Sequence, residues 1–142
     1  YCGVGALGLG LAARYRERFG KLIGIEVHAG AVDCARRNAE RNGIEGEWHA
    51  GPVEELLDGL SLIAPVALVV DPPRSGLHPK AASALASMQA EVLVYVACNP
   101  ASLGRDRAIL EAGGWTLDAL WTVDLFPQTR HVEAVARFIR PG

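Results

Sequence analysis

The 142 residues predict an α/β fold with a mostly parallel sheet. Three observations carry that prediction. Short apolar β-like runs alternate with helix-length segments along the whole chain. The run VALVVD at 66–71 is continuously apolar up to its last residue, as expected of a strand buried on both faces. A glycine-rich loop, GVGALG at 3–8, leads straight into a helical stretch, the arrangement that follows the first strand of such sheets.

The elements follow in order. ALGLGLAARY (6–15) continues the glycine loop as a helix, and KLIGIEV (21–27) is a strand. A helix over 29–41 stops at Asn42-Gly43, a stop signal of the kind that closes helices. EGEWHAG (45–51) is a weaker strand, followed by a short helix over about 53–60. VALVVDPP holds the next strand, and a helix over 79–88 leads to the strand VLVYVAC at 92–98. A helix over 100–112 ends at Gly113-Gly114. Two further strand-like runs, WTLDALWTVDLF and HVEAVARFIR, are joined by PQTR. Four residues cannot make a helical crossover, so these two strands are expected to be antiparallel neighbours. No strand stands in front of the glycine loop. The first strand of the fold is therefore expected to lie outside these residues, and the chain reads as the C-terminal part of a longer protein.

The length suits one domain. Half of the residues are apolar and 21% are charged, an ordinary soluble composition. No window has the apolar length of a membrane span, and the N-terminus lacks the basic start of a signal peptide. Cys2, Cys34 and Cys98 are an odd number at irregular spacing. That argues against a disulfide framework or a metal site and for a reducing, cytoplasmic location. A net charge of −2 does not announce a nucleic-acid binder. Any RNA contact would use a local patch, for which Arg74, Lys80, Arg105, Arg107 and Arg130 are placed on loops or first turns at one rim.

Gly3, Gly5 and Gly8 have G-x-G-x-x-G spacing, which lets the backbone turn tightly and approach a ligand. Glu26 ends the next strand, where a carboxylate can accept both hydroxyls of a ribose. The pair points to a nucleoside-containing cofactor and leaves a dinucleotide and S-adenosylmethionine both open. Asp71 and Cys98 end two further strands, and ligands of open α/β sheets sit beyond such ends. Cys34, in mid-helix, reads as a small buried hydrophobe. Cys98 differs, because it lies at a strand mouth just before a helix start at Pro100. A helix N-terminus favours the thiolate form of a nearby cysteine, so Cys98 is a candidate nucleophile.

Taken together, YCGVGALGLGLA, GIE, DPPRSG, YVACNPASLGRD and LFPQTRHVEAVARF resemble the catalytic domain of the RNA uracil-5-methyltransferases. The resemblance implies a Rossmann-like class I S-adenosylmethionine-dependent methyltransferase fold with an antiparallel C-terminal strand. It implies S-adenosylmethionine as cofactor and tRNA or ribosomal RNA as partner, with no membrane and no obligate protein partner. Tyr1, Gly3 and Gly5 match the cofactor loop, Glu26 the ribose-binding acid and Asp71 the cofactor-side aspartate. Cys98 matches the nucleophile of the CNP motif, and Glu133 of HVE matches the general base. An upstream cofactor-contacting glutamine and an N-terminal RNA-binding portion, typical of the family, are not among these residues. Two other readings account for fewer of these residues. An NAD-type oxidoreductase accounts for the glycine loop and Glu26 but leaves Asp71, Cys98 and Glu133 without roles. A non-catalytic RNA-binding module would not need both Cys98 and Glu133.

Overall fold

The computed structural model describes residues 1–125, 127–129 and 131–140. Its contacts divide the chain into two compact units, Tyr1–Leu60 and Ser61–Gly142.

The first unit contains α1 (Ala6–Arg14), β1 (Leu22–Glu26), α2 (Ala29–Arg41), β2 (Gly46–Ala50) and α3 (Val53–Leu56), with single 3-10 turns at Arg16–Arg18 and Leu57–Gly59. Strands β1 and β2 pair in parallel, from Leu22 opposite Gly46 to Glu26 opposite Ala50. Helix α2 buries Val32, Ala35 and Ala39, one stripe at helical spacing, against Leu9 and Trp48. It ends where the Asn-Gly signal predicts. Gly43 takes a positive φ, its N–H bonds Glu40 O, and the Ile44 N–H reaches back to Ala39 O. This double closure satisfies carbonyls that the helix end would leave unpaired.

The second unit contains β3 (Ala67–Val70), α4 (Pro79–Ser87), β4 (Val92–Ala97), α5 (Pro100–Ala112), β5 (Thr116–Val123) and β6 (Glu133–Ile139). Its sheet runs in the order β3-β4-β6-β5. Strands β3 and β4 are parallel, and β6 runs antiparallel to both β4 and β5. The expected antiparallel tail is therefore present, with the last strand slotted between β4 and β5. Helix α5 packs on β4, β5 and α4, over a core that includes Leu85, Leu93, Tyr95, Leu110, Trp115, Ala136 and Phe138. Arg140 closes the end of this layer. Its guanidinium donates to the carbonyls of Ala86, Met88 and Gly113 and lies 4.7 Å over the Trp115 ring.

Three expectations are corrected. The run at 66–71 is not buried on both faces: in β3 only Val70 is buried, and Ala67 and Val69 are exposed. Among the described residues the strand pairs with β4 alone. Cys34 is half-buried, and its sulfur accepts from the Arg37 guanidinium at 3.2 Å. Arg105 and Arg107 lie within α5 rather than on a rim loop. Arg107 pairs with Glu111 one turn on, and Arg105 is held by Asp106 and the Ser75 carbonyl. Arg130 falls outside the described residues.

Candidate active site

In the first unit the glycine loop is built around one carboxylate. Gly3 and Gly5 both adopt positive φ, at 53° and 84°, so the chain doubles back immediately before α1. The Cys2 N–H bonds Ile25 O at 3.0 Å and the Tyr1 nitrogen donates to the same carbonyl at 2.7 Å, joining the loop to β1. Glu26 accepts from the Gly3 N–H on one oxygen, at 3.0 Å, and from the His28 N–H on the other, at 3.1 Å. Burial opposes ionisation of this carboxyl, but the His28 and Gly3 N–H groups outweigh it and hold the pKa below its ordinary value. An ionised carboxylate has about four acceptor directions, so two backbone donors leave capacity for two hydroxyls. This chemistry fits a ribose diol.

Gly5 has a second reason to be glycine. A Cβ there would come within 2.9 Å of the Trp48 ring, which fills the space beneath the loop. Gly8 lies inside α1, where a Cβ would press on Leu22 at 3.1 Å; its part is helix–strand packing. Cys2 packs against the same cluster, and burial pushes its thiol pKa up, so it is a packing residue.

In the second unit Cys98 follows the last residue of β4, and Glu133 opens β6. The antiparallel register pairs Val92 with Ile139 and ends at Ala97 opposite Ala134. Cys98 and Glu133 each lie one residue beyond that last pair. Strand pairing thus brings the chain at Cys98 and the chain at Glu133, 35 positions apart in sequence, to the same end of the sheet. Asp71 follows the last residue of β3, next to β4 in the sheet. Its side chain keeps contact with solvent, yet the surrounding protein removes enough water to raise the carboxyl pKa.

The loop after Asp71 is clamped at two points. At one, the Asn99 side chain donates to Arg74 O at 3.1 Å while its oxygen caps α5 by accepting from the Ala101 N–H. At the other, Asp106, 1% exposed, accepts from the Leu77 N–H and the Tyr95 hydroxyl, both at 2.7 Å. Its second oxygen takes two donors from Arg105. Burial and the neighbouring Asp106 carboxylate drive the Tyr95 pKa well above its ordinary value, so the hydroxyl stays a donor. Gly76, at φ 84°, passes so close that a Cβ would sit 2.6 Å from Asp106 Oδ2. Reading the sequence missed Asp106, Tyr95 and Gly76. Only Asn99 left a local signal, as a cap residue before Pro100. Beyond the loop, the Arg74 guanidinium lies 3.5 Å from the His131 ring, two residues before Glu133.

A family model for tRNA (uracil-5-)-methyltransferases matches residues 58–140. The chain belongs to this family. Among its relatives, an uncharacterised RNA methyltransferase of Gloeobacter violaceus is 47% identical over 141 residues, which are 99% of this chain and 29% of the relative. One from Enterococcus faecalis is 45% identical over 138 residues, 95% of this chain and again 29% of the relative. The chain thus spans about three tenths of the length of these curated relatives. Among solved structures, the Pyrococcus abyssi tRNA (uracil-54, C5)-methyltransferase in complex with S-adenosyl-L-homocysteine superposes with a TM-score of 0.80 at 33% identity, covering 98% of this chain and 33% of that one. The Geobacter metallireducens precorrin-6y C5,15-methyltransferase matches at TM-score 0.75 and 15% identity, over 98% of this chain and 76% of its own, a likeness of fold. The family member described here has the Rossmann-like class I methyltransferase fold expected from its motifs. Among the described residues no helix is long and apolar enough to cross a membrane.

Proposed function

We propose that the protein carrying this chain transfers a methyl group from S-adenosylmethionine to carbon 5 of a uridine in tRNA or ribosomal RNA, through a covalent adduct on Cys98. Residues 1–142 would serve as its catalytic domain, acting in the cytoplasm. The single observation that supports the reading is the β4–β6 register, which ends with Ala97, next to Cys98, opposite Ala134, next to Glu133.

Carbon 5 of uracil is a poor nucleophile and needs activation. The Cys98 thiolate adds to carbon 6, and the displaced electron pair makes an enolate whose carbon 5 is nucleophilic. When bound, S-adenosylmethionine supplies the electrophilic methyl group. Glu133 then takes the carbon-5 proton, the ring double bond re-forms, and the thiolate leaves. Carbons 5 and 6 are adjacent ring atoms, and side chains from paired neighbouring strands suit chemistry at two adjacent atoms. Tyr1, Gly3 and Gly5 would hold the cofactor on their tight turn, Glu26 would accept its ribose hydroxyls, and Asp71 would line the cofactor side of the reacting centre. The target base must leave its stack to reach such a pocket.

The test uses the intact protein and RNA. Cys98→Ala should abolish 5-methyluridine formation. Glu133→Gln should lower turnover by about 10²–10⁴-fold, the usual contribution of a general base, and should accumulate a covalent protein–RNA adduct on denaturing gels. RNA containing 5-fluorouridine should trap wild type in the same adduct, because fluorine cannot leave as a proton does. Near wild-type methylation by Cys98→Ala would sink the mechanism.

A further inference from the structure

We propose that Trp121 is a stacking platform for a nucleobase of the RNA substrate, next to the base that reacts. The proposal rests on the reading of this chain as an RNA methyltransferase. The second unit's sheet carries it. Register pairs Val123 with Glu133, Trp121 with Val135 and Ala119 with Arg137. Across β6 the same rows continue to Val96 and Val94, with Cys98 one step beyond the β4–β6 ladder at Glu133. Opposed residues share a face, and alternate residues along each strand return to it. Trp121 therefore lies on the face of β6 that carries Glu133, one row away from it and near the end of β4 that Cys98 follows. The diagonal from Glu133 to Trp121 spans about 7–8 Å.

Trp121 is 49% exposed, whereas Trp48 and Trp115 are buried at 8% and 2%. An indole left open on a strand loses hydrophobic stabilisation unless something covers it. Its immediate neighbours hold it ready for a flat ligand. The Arg137 guanidinium lies 5.7 Å from the ring centroid, and Asp118 pins that guanidinium through its Nε at 2.6 Å. The ring is thereby oriented from one side by a cation that is itself fixed. Val123, 39% exposed, extends the apolar surface toward Glu133. An oriented aromatic face beside a cation is the means by which proteins hold unpaired bases with little sequence preference.

Trp121→Ala and Trp121→Phe in the intact protein test this with two readouts. In steady-state methylation of an RNA substrate, Trp121→Ala should raise KM by about 5- to 100-fold, the range expected for loss of one base–aromatic stack, with kcat within about twofold. Trp121→Phe should keep most of the affinity. Independently, the tryptophan emission present in wild type and missing from Trp121→Phe should be quenched when a uridine-containing oligonucleotide is added. Unchanged KM in Trp121→Ala together with emission indifferent to RNA would overturn the proposal while leaving the methylation reading intact. If wild type methylates no RNA uridine, that reading falls. The emission titration alone then decides the stacking: quenching supports it and no quenching overturns it.

Discussion

At the scale of single residues, Glu26 shows how one carboxylate can shape a loop and stay available to a ligand. Its two oxygens each take a backbone N–H, from Gly3 and His28, and these donors help hold the group ionised despite its burial. Because the folded pKa is below the unfolded one, Glu26 contributes stability above the ordinary glutamate pKa. That contribution disappears as pH falls through the depressed folded value. Glu26→Gln can satisfy one N–H with its amide oxygen but turns its NH₂ toward the other. The variant should be less stable by about 1–3 kcal/mol at pH 7, the scale of hydrogen bonds to a charged acceptor. Chemical denaturation of wild type and variant should show that gap narrowing as pH falls below the ordinary glutamate range. A gap that is constant across pH would mean the charge has no part in holding the loop. This residue's place at a strand end was legible in the sequence. Its grip on Gly3 was not, because a contact across 23 positions depends on how the loop folds back on β1.

At the scale of elements, the segment between β3 and α4 owes its course to α5. Asn99 holds the Arg74 carbonyl, and Asp106 holds the Leu77 N–H, so the helix that begins after Cys98 also fixes the loop that begins at Asp71. The helix boundaries were legible: Pro100 and Asn99 mark the start, and Gly113-Gly114 the end. The use of α5 as a clamp was not. Asp106 sits within a run of arginines, GRDR, where a solvated ion pair is the ordinary expectation, and only its burial beneath Gly76 and Tyr95 reveals the contact. Asp106→Ala leaves the buried Leu77 N–H and the Tyr95 hydroxyl without this acceptor, at about 1–3 kcal/mol each. Gly76→Ala adds a Cβ against the same carboxylate at a left-handed φ, a conformation costing about 1–2 kcal/mol for a non-glycine residue before any clash. Both variants should lower the denaturation midpoint, and both should reduce methylation more than they reduce RNA affinity. Full activity in Gly76→Ala would show that the loop's course does not matter to the reaction.

At the scale of the molecule, the decisive arrangement is the position of β6 within its sheet. Ala136, fully buried, lies between Tyr95 of β4 and Leu120 of β5. Ala136→Glu would place an unpaired charge there and should destabilise the second unit by more than about 4 kcal/mol, in the range reserved for severe core defects. Loss of soluble expression, or loss of the cooperative unfolding transition by circular dichroism, is the measurement. A soluble variant with the wild-type transition would contradict the strand order. The sequence by itself determined where most elements begin and end, because apolar period, helix caps and Asn-Gly or Gly-Gly stops act within a few residues of one another. It also placed Asp71 and Cys98 at strand ends, and the short PQTR connection made β5 and β6 antiparallel. Only the tertiary structure decided that β6 enters between β4 and β5, so that Glu133 opens its strand beside the end of β4 that Cys98 follows. Register is a pairing between distant segments. Its energy comes from ladder hydrogen bonds and from burying Ala134, Ala136 and Phe138 together, and no local pattern of residues contains it.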